Sequence, residues 1–229
     1  CHGIKMPGDH ELIVHAVDMI RREDGSMLVL SDRTQAPSGM GYALENRTVM
    51  SRVFPSLFRD SHVHRLAAFF QQLRAKLISL CPHQSRPRIA VLTPGPRNET
   101  YFEHAYLANY LGFYLVQSDD LVVRNGFLWM KSLDGLNRVD VLLRRVDDWF
   151  CDPVELRSDS RLGVAGLLVM GMAHRQVMVR APRLHRRRRR RDPDRATLAP
   201  PVRHRRAAQW RALRRLTLTL TLTLTSTLT

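Results

Sequence analysis

The chain has 229 residues, 44% of them hydrophobic, which is ordinary for a soluble globular protein with one sizeable core or two small ones. The longest apolar stretch, around residues 162–172, contains three glycines and is shorter than the roughly 18 residues that a membrane-spanning helix needs. Cys1, Cys81 and Cys151 lie far apart without CxxC spacing, which indicates neither a disulfide framework nor a zinc site and favours a reducing cytoplasm. The first residue is Cys rather than Met, so we expect a chain from within a longer reading frame, with processing as the alternative.

The formal net charge of +15 is unevenly distributed along the chain. Residues 180–229 contain 15 arginines and two aspartates, whereas residues 1–179 contain 21 Lys and Arg against 19 Asp and Glu. The body therefore has no overall basic signature. We interpret the Arg-rich, Thr-Leu-repeating tail as unfolded or frameshifted from a point between about residues 168 and 180. The alternative is a basic arm that binds nucleic acid without sequence specificity.

In chain order, the first predicted elements are a hairpin and two helices. Apolar residues alternate on both sides of Glu23-Asp24-Gly25 within residues 12–30, which predicts two antiparallel strands with Asp18 on the first. A polar loop leads to a helix over about residues 43–55. A second helix over about residues 64–80 has a core stripe formed by Leu66, Phe69, Phe70, Leu73, Leu77 and Leu80.

A βαβ unit is predicted next. The short apolar run from Ile89 to Leu92 ends at a Pro-Gly-Pro turn, as a buried parallel strand would. Asn98 is predicted to cap a helix that Gly112 ends, and Phe113 to Val116 forms the second strand. The apolar face of this helix is predicted to consist of Phe102, Ala105, Tyr106 and Tyr110.

The loop after the first strand of this unit is a candidate ligand site. Open α/β sheets bind ligands beyond the carboxyl ends of their strands. We therefore expect a site near Asn98, Glu99 and Glu103. The alternative is that Glu99 and Glu103 belong to a solvated helix face.

A second group of charges follows another predicted strand. A hairpin turns at Asn125-Gly126, and a buried strand spans about residues 139–143. Arg144, Arg145, Asp147 and Asp148 follow that strand, on the expected ligand side of the sheet. These residues either bind a carboxylate or phosphate or form surface ion pairs, and the sequence leaves both alternatives open.

Three blocks in order resemble one known family, and the resemblance covers about residues 12–166. The blocks are DRTQAPSGMGYALENR, LTPGPRNETYFEHAYLANYLGF, and VDVLLRRVDDWFCDPVELRSDS followed by LGVAGL. They resemble the circularly permuted ATP-grasp family of type 2, which often accompanies an alpha-E domain and is related to glutathionylspermidine synthetase. The resemblance implies ATP-dependent joining of a small-molecule or peptide carboxylate to an amine, with ATP and magnesium as cofactors.

The resemblance also implies roles for particular residues. Asp18 matches a metal-binding Asp, while Ser31 and Arg33 stand where a Glu and an Asn are expected. Asp32 is then a candidate to replace them as a metal ligand after a register shift, and Arg33 is a candidate to neutralise phosphate charge. The cofactor-binding candidates are Arg33, Glu45 and Asn46. The substrate-binding candidates are Asn98, Glu99, Tyr101, Glu103 and His104, and the catalytic candidates are Arg144, Arg145 and Asp147.

Together these observations predict an α/β fold, with α+β as the alternative, and a βαβ layer like that of pre-ATP-grasp domains. We expect a partial ATP-grasp region over residues 1–82, the βαβ region over residues 83–179 and a disordered tail over residues 180–229. Two functions are consistent with the sequence. The chain is either a fragment of a carboxylate–amine ligase or a catalytically degenerate binding and assembly module that acts with an alpha-E partner.

Overall fold

A computed structural model describes residues 12–169 and 177–179 of the chain. The described helices are α1 Met40–Val53, α2 Pro55–Asp60, α3 Ala67–Ser79 and α4 Tyr101–Leu111. The described strands are β1 Ala16–Arg21, β2 Met27–Arg33, β3 Ile89–Leu92, β4 Tyr114–Val116, β5 Leu121–Arg124, β6 Phe127–Ser132, β7 Gly135–Arg138, β8 Val141–Arg144 and β9 Val177–Val179. No helix among these residues is long and apolar enough to cross a membrane.

A four-stranded parallel sheet in the order β4-β3-β8-β9 forms the centre of the fold. Strands β5, β6 and β7 form a separate antiparallel sheet, and β1 and β2 form a two-stranded hairpin. The central strands β3 and β8 are buried along their whole length, as expected for parallel strands covered on both faces.

The parallel sheet separates two hydrophobic clusters, because successive side chains of a strand point to opposite faces. Ile89 and Val91 of β3 pack with the buried residues of helices α1, α3 and α4. Ala90 and Leu92 pack on the other side with residues of β5, β6 and the segment 146–168. The result is a three-layer arrangement in which helices cover one face of the sheet and the second sheet covers the other.

Most predicted elements are confirmed, and so is the α/β class. The hairpin turns at residues 22–26 with Gly25 at φ 84°, and β3 has the predicted bounds. The core stripe of α3 is buried, with Leu66 and Phe69 at its margin. The Asn125-Gly126 turn has both residues at positive φ, as a tight two-residue hairpin requires.

The prediction for α4 is wrong in its cap and in its buried face. The helix begins at Tyr101 after the N-cap residue Thr100, and Asn98 bonds Thr100 in the loop before it. Phe102 and Tyr110 are 52% and 46% exposed. The buried face instead consists of Glu103, His104, Leu107, Ala108 and Leu111.

The sequence did not predict α2 or β7, and strand β9 lies inside the region where we placed a frameshift. Residues on both sides of the boundary predicted at residue 82, such as Phe70 and Leu107, share one core. The predicted tail over residues 180–229 lies outside the described residues.

Candidate functional site

The two charged segments predicted to form a site lie at the same edge of the parallel sheet. Strands β3 and β8 run parallel, with Leu92 opposite Arg144, so their carboxyl ends coincide. The backbone N–H of Arg145 donates to the carbonyl of Leu92 at 2.8 Å, which ties the two segments together where the strands end. Helix α4 begins beyond this edge and brings Glu103 back over it.

Glu103 and Arg145 form a buried ion pair that holds the loop between β2 and α1. Their Oε1 and Nη2 atoms are 3.6 Å apart, and the side chains are 0% and 2% exposed. Glu103 Oε2 accepts a hydrogen bond from the backbone N–H of Gly39 at 2.6 Å, and Arg145 Nη2 donates to the carbonyl of Pro37 at 2.7 Å. We call this pair the loop clasp, because it fixes residues 34–39 against the sheet edge.

The loop clasp also places the negative charge of Glu103 at the positive, N-terminal end of the α1 dipole. Gly39 is the N-cap residue of α1 at φ 111°, and no side chain of the helix caps it. The Glu103 carboxylate therefore lies at the positive end of the helix, where a negative charge is stabilising. Burial lowers the pKa of Arg145, and the carboxylate of Glu103 opposes that shift.

His104 is held between two threonine hydroxyls. Its Nδ1 lies 2.9 Å from Thr93 Oγ1 and its Nε2 lies 3.1 Å from Thr100 Oγ1. Asn98 Oδ1 accepts from both the backbone N–H and the hydroxyl of Thr100, so that hydroxyl is left to accept from Nε2–H. Nδ1 is then the acceptor for the Thr93 hydroxyl. Burial, together with the charge of Arg145, lowers the pKa of His104 from 6.5 to about 4, so the imidazole is neutral at pH 7.

Arg144 pairs with its own loop rather than with the clasp. Its side chain is 1% exposed and donates to the carbonyl of Val146 and to the carboxylate of Asp148. Asp147 is exposed at the start of the short helical turn Asp148–Phe150. The two predicted catalytic arginines are therefore buried, and Asp147 is the catalytic candidate that solvent reaches.

Some buried polar atoms at this edge of the sheet have no hydrogen-bond partner within the described part of the chain. Among the described residues, Glu103 Oε1, Arg144 Nε and Arg145 Nε are buried without a hydrogen-bond partner. Buried polar atoms of this kind are uncommon in proteins and call for a specific explanation. The remaining substrate-binding candidates lie farther out: Glu99 is exposed, and Asn98 and Tyr101 are partly buried.

The predicted cofactor and metal residues fall into three separate places. Asp18, Ser31 and Arg33 meet on one face of the hairpin, where Asp18 Oδ2 accepts from Ser31 Oγ at 2.5 Å and from Arg33 Nε at 2.9 Å. The hydrogen bond from Ser31 lowers the pKa of Asp18 most, and the one from Arg33 lowers it further. Asp32 pairs instead with His15 at 3.0 Å.

Glu45 and Asn46 lie on α1, away from the hairpin contacts. Glu45 forms a hydrogen bond with Tyr106 of α4. Burial is the main reason that the pKa of Tyr106 is raised, and the bond with Glu45 raises it further. Asn46 is exposed. The structure therefore brings the clasp residues together with His104 but leaves the cofactor candidates spread over the hairpin and α1.

The residues of the hairpin do not fit a magnesium ion. Side chains alternate along β2, so Asp32 points away from the face that carries Asp18, Ser31 and Arg33. Mg²⁺ needs several oxygen ligands at about 2.0–2.1 Å, and a guanidinium bonded to the same carboxylate oxygen opposes a second cation. Within the described part of the chain, no group of three or more His, Cys, Asp or Glu residues could hold a metal ion.

Sequence reasoning missed Asp152, a fully buried residue that organises the loop after β8. Its carboxylate accepts from the backbone N–H groups of Val154 and Leu168 at 2.9 Å, of Gly166 at 3.3 Å and of Glu155 at 3.4 Å. The Asp-Pro dipeptide at residues 152–153 is a turn signal that could have identified it.

The chain matches a described family and several relatives of greater length. Residues 1–183 match the family described as circularly permuted ATP-grasp type 2. "Uncharacterized protein Rv2567" of Mycobacterium tuberculosis is 51% identical over 168 residues, which cover 73% of this chain and 19% of the relative. "Uncharacterized protein sll0335" of Synechocystis is 42% identical over 183 residues, which cover 80% of this chain and 38% of the relative.

These coverages mean that the chain spans from about a fifth to about two fifths of the length of these two relatives. The family match, in contrast, extends over most of the chain and includes the hairpin, the loop clasp and the edge of the parallel sheet. The chain therefore belongs to the circularly permuted ATP-grasp type 2 family.

Proposed function

We propose that this chain is part of an ATP-dependent ligase that joins a carboxylate to an amine. In such a reaction the carboxylate attacks the γ-phosphate of ATP to give an acyl phosphate and ADP. The amine then attacks the acyl carbon, phosphate leaves, and an amide forms. The protein's main tasks are to position the reactants and to offset negative charge on the phosphates.

One observation carries this proposal: the loop of residues 34–39 is fixed at the carboxyl edge of the parallel sheet by the buried pair Glu103 and Arg145. Ligands of open α/β proteins bind at this edge. A loop held there by two buried charges keeps one conformation, which reduces the entropy lost when a ligand binds. The family membership supports ATP as the nucleotide.

We assign different roles to the buried and exposed candidates. Glu103, Arg144 and Arg145 bond protein groups and are buried, so we propose that they position loops rather than contact the reactants. Asp147 and Glu99 are exposed near the same edge and are the better candidates for contact with a substrate. Asn98 and Tyr101, which are partly buried, are further candidates for contact with a substrate in this proposal.

ADP release tests the proposal directly. We would incubate this chain and, in parallel, the full-length Synechocystis relative with ATP and a panel of small and peptide carboxylates, with and without amines, and quantify ADP and amide. We expect ADP release that requires both an acid and an amine. Asp147→Asn should reduce the rate by tenfold or more, while Asp159→Asn, at an exposed carboxylate in a separate ion pair, should not. Absence of acid-dependent and amine-dependent ADP release from both proteins would exclude a ligase.

A second candidate function is a catalytically degenerate binding and assembly module that acts with an alpha-E partner. The ion pair between Asp18 and Arg33 favours it, because the family resemblance implies a metal ion at these positions and the pair leaves a cation of the protein there instead. This module would bind nucleotide without releasing ADP. Equilibrium binding of ATP without turnover, in both proteins, would favour this candidate. We propose a cytoplasmic location with either function, and the absence of CxxC spacing among Cys1, Cys81 and Cys151 supports it.

A further inference from the structure

We propose that the β1–β2 hairpin supplies its own cation: the guanidinium of Arg33, held by Asp18, binds a phosphate oxyanion directly, and no metal ion binds at this face. The inference deepens the proposed function, since the phosphate would belong to the nucleotide. It rests on the arrangement of the three hairpin side chains and on the exposure of the arginine.

The hairpin register places the three side chains together. Asp18 lies opposite Ser31 in the antiparallel pair, and Arg33 follows two positions later on the same face of β2. A single oxygen of Asp18 accepts both the Ser31 hydroxyl and Arg33 Nε–H. A metal ion at this oxygen would have to displace two donors and approach a fixed positive charge.

The remaining edge of the guanidinium is suited to an oxyanion. The Arg33 side chain is 64% exposed, and its bond to Asp18 uses Nε. A guanidinium is planar and rigid, so a bond through Nε fixes the direction of the edge that carries Nη1 and Nη2. That edge matches two oxygens of a phosphate group in a bidentate contact.

The position of Arg33 supports a role with the nucleotide rather than an isolated surface pair. Arg33 is the last residue of β2, and the loop held by the clasp begins at the next residue. Asp32 is bonded to His15 on the opposite face, so it does not compete with a ligand for Arg33. Exposed ion pairs are weak, so Asp18 can orient Arg33 without preventing a second, stronger anion from binding.

The metal and arginine arrangements predict opposite effects for Asp18→Asn. If Asp18 were a metal ligand, the substitution would abolish metal binding and weaken phosphate binding that depends on the metal. If Arg33 binds the phosphate, the asparagine oxygen still accepts from Nε–H while a negative charge is removed. Phosphate binding should then persist and strengthen about threefold or more.

The experiment must distinguish Arg33 from the many other arginines of the chain. We would treat the full chain with phenylglyoxal, which modifies arginine, and follow Arg33 and Arg157 separately by peptide mass spectrometry. Arg157 is the internal control, since it also forms an exposed Arg–Asp pair, with Asp159. Inorganic triphosphate in EDTA should slow modification of Arg33 at least fivefold more than that of Arg157, and succinate at the same concentration should not.

Binding of Mn²⁺, followed by electron paramagnetic resonance, forms the second arm. We expect no Mn²⁺ site that depends on Asp18 in the parent chain. The double variant Ser31→Glu, Arg33→Asn should create one, because it places three oxygen ligands on one face of the hairpin. The inference is wrong if Asp18→Asn removes a Mn²⁺ site of the parent chain, if Arg33 is not protected by triphosphate in EDTA, or if succinate protects it better.

The outcomes also separate this inference from the proposed ligase. Protection of Arg33 without ADP release would exclude the ligase and retain the anion site. ADP release with an unprotected Arg33 would retain the ligase and exclude the anion site.

Discussion

His104 is a neutral imidazole between the hydroxyls of Thr93 and Thr100, and its burial gives folding a defined pH dependence. Its pKa is about 4 in the folded chain against 6.5 for an exposed histidine. The unfolded chain therefore binds more protons between these values, so stability falls as the pH decreases from about 6.5 to about 4. Above that window the contribution of His104 is fully present.

We expect the free energy of unfolding to fall by about 3 kcal/mol across this window because of His104 alone. His104→Gln keeps a donor near Thr100 Oγ1 and does not titrate. Urea unfolding at pH 7 and at pH 4.5 should therefore show a smaller difference for the variant than for the parent chain. An equal difference in both proteins would mean that His104 does not titrate in the way its surroundings imply.

Gly41 lies where helix α1 meets α4. A Cβ atom at this position would lie 2.7 Å from Glu103 Cγ and 3.5 Å from Glu103 Cα. Glu103 cannot move away easily, because its carboxylate is bonded to the Gly39 backbone and is near Arg145. Gly41→Ala should therefore destabilise the fold by about 1–3 kcal/mol, although alanine is the better helix former.

A double-mutant cycle tests this explanation. In a Glu103→Ala background the obstructing Cγ atom is absent, so adding Gly41→Ala should cost nothing or stabilise the chain slightly. Chemical denaturation of the four proteins gives the coupling free energy. Equal costs of Gly41→Ala in both backgrounds would rule out the steric contact as the cause.

At the scale of secondary structure, local patterns predicted most of the elements but not the orientation of α4. Strand β3 and the Asn125-Gly126 turn follow from short-range signals, and both were predicted. Helix α4 has apolar residues on most of its surface, so its periodicity does not select one face. The sheet selects the aliphatic face of Leu107 and Leu111 and leaves the aromatic rings partly outside.

The candidate site was likewise predictable only in part, because local patterns indicate the strands but not the long-range contacts between side chains and loops. The convergence of the Glu103 and Arg145 segments follows from parallel strands, which the sequence indicates. The sequence does not predict that Glu103 and Arg145 bind the backbone of Pro37 and Gly39. Glu103 is 64 residues from Gly39 in the chain, and Arg145 is 108 residues from Pro37. Long-range pairing of this kind leaves no local pattern.

Asp152 stabilises the irregular segment after β8, and a prediction follows for that segment. Asp152→Ala leaves the buried backbone N–H of Leu168 and the partly buried N–H groups of Val154 and Gly166 without their acceptor, and a buried N–H that loses its acceptor costs about 1–3 kcal/mol. We expect a loss of about 3 kcal/mol or more, a smaller loss for Asp152→Asn, which keeps one oxygen, and no measurable loss for the exposed control Asp159→Ala.

Hydrogen exchange locates the effect of Asp152→Ala. Amides of residues 154–168 should exchange faster in the variant, and those of α3, on the other face of the parallel sheet, should be less affected. Uniformly faster exchange throughout the chain would show that Asp152 supports global rather than local structure.

At the scale of the whole molecule, the described residues divide into a well-covered parallel sheet and a hairpin with an uncovered strand. Strand β2 is exposed along its whole length, and its apolar residues Met27, Leu28, Val29 and Leu30 are 46%, 39%, 50% and 62% exposed. They occupy both faces of the strand, a pattern that is typical of strands inside a larger sheet. The matched regions make up 19% and 38% of the two relatives, which therefore have additional chain to cover such a strand.

We expect this chain, studied alone, to self-associate through β2, because an exposed apolar edge strand readily pairs with another. Light scattering after size exclusion should show a mean mass that rises with protein concentration in about 0.3 M salt, which screens the charges of the chain.

Leu30→Lys removes one exposed apolar side chain and adds a charge on the strand, so association should weaken about tenfold. Leu133→Lys is the matched control, since Leu133 is fully exposed in the turn between β6 and β7, away from the hairpin, and should change nothing. A mass that is independent of concentration, or an equal effect of the two lysine variants, would show that β2 is not the associating surface.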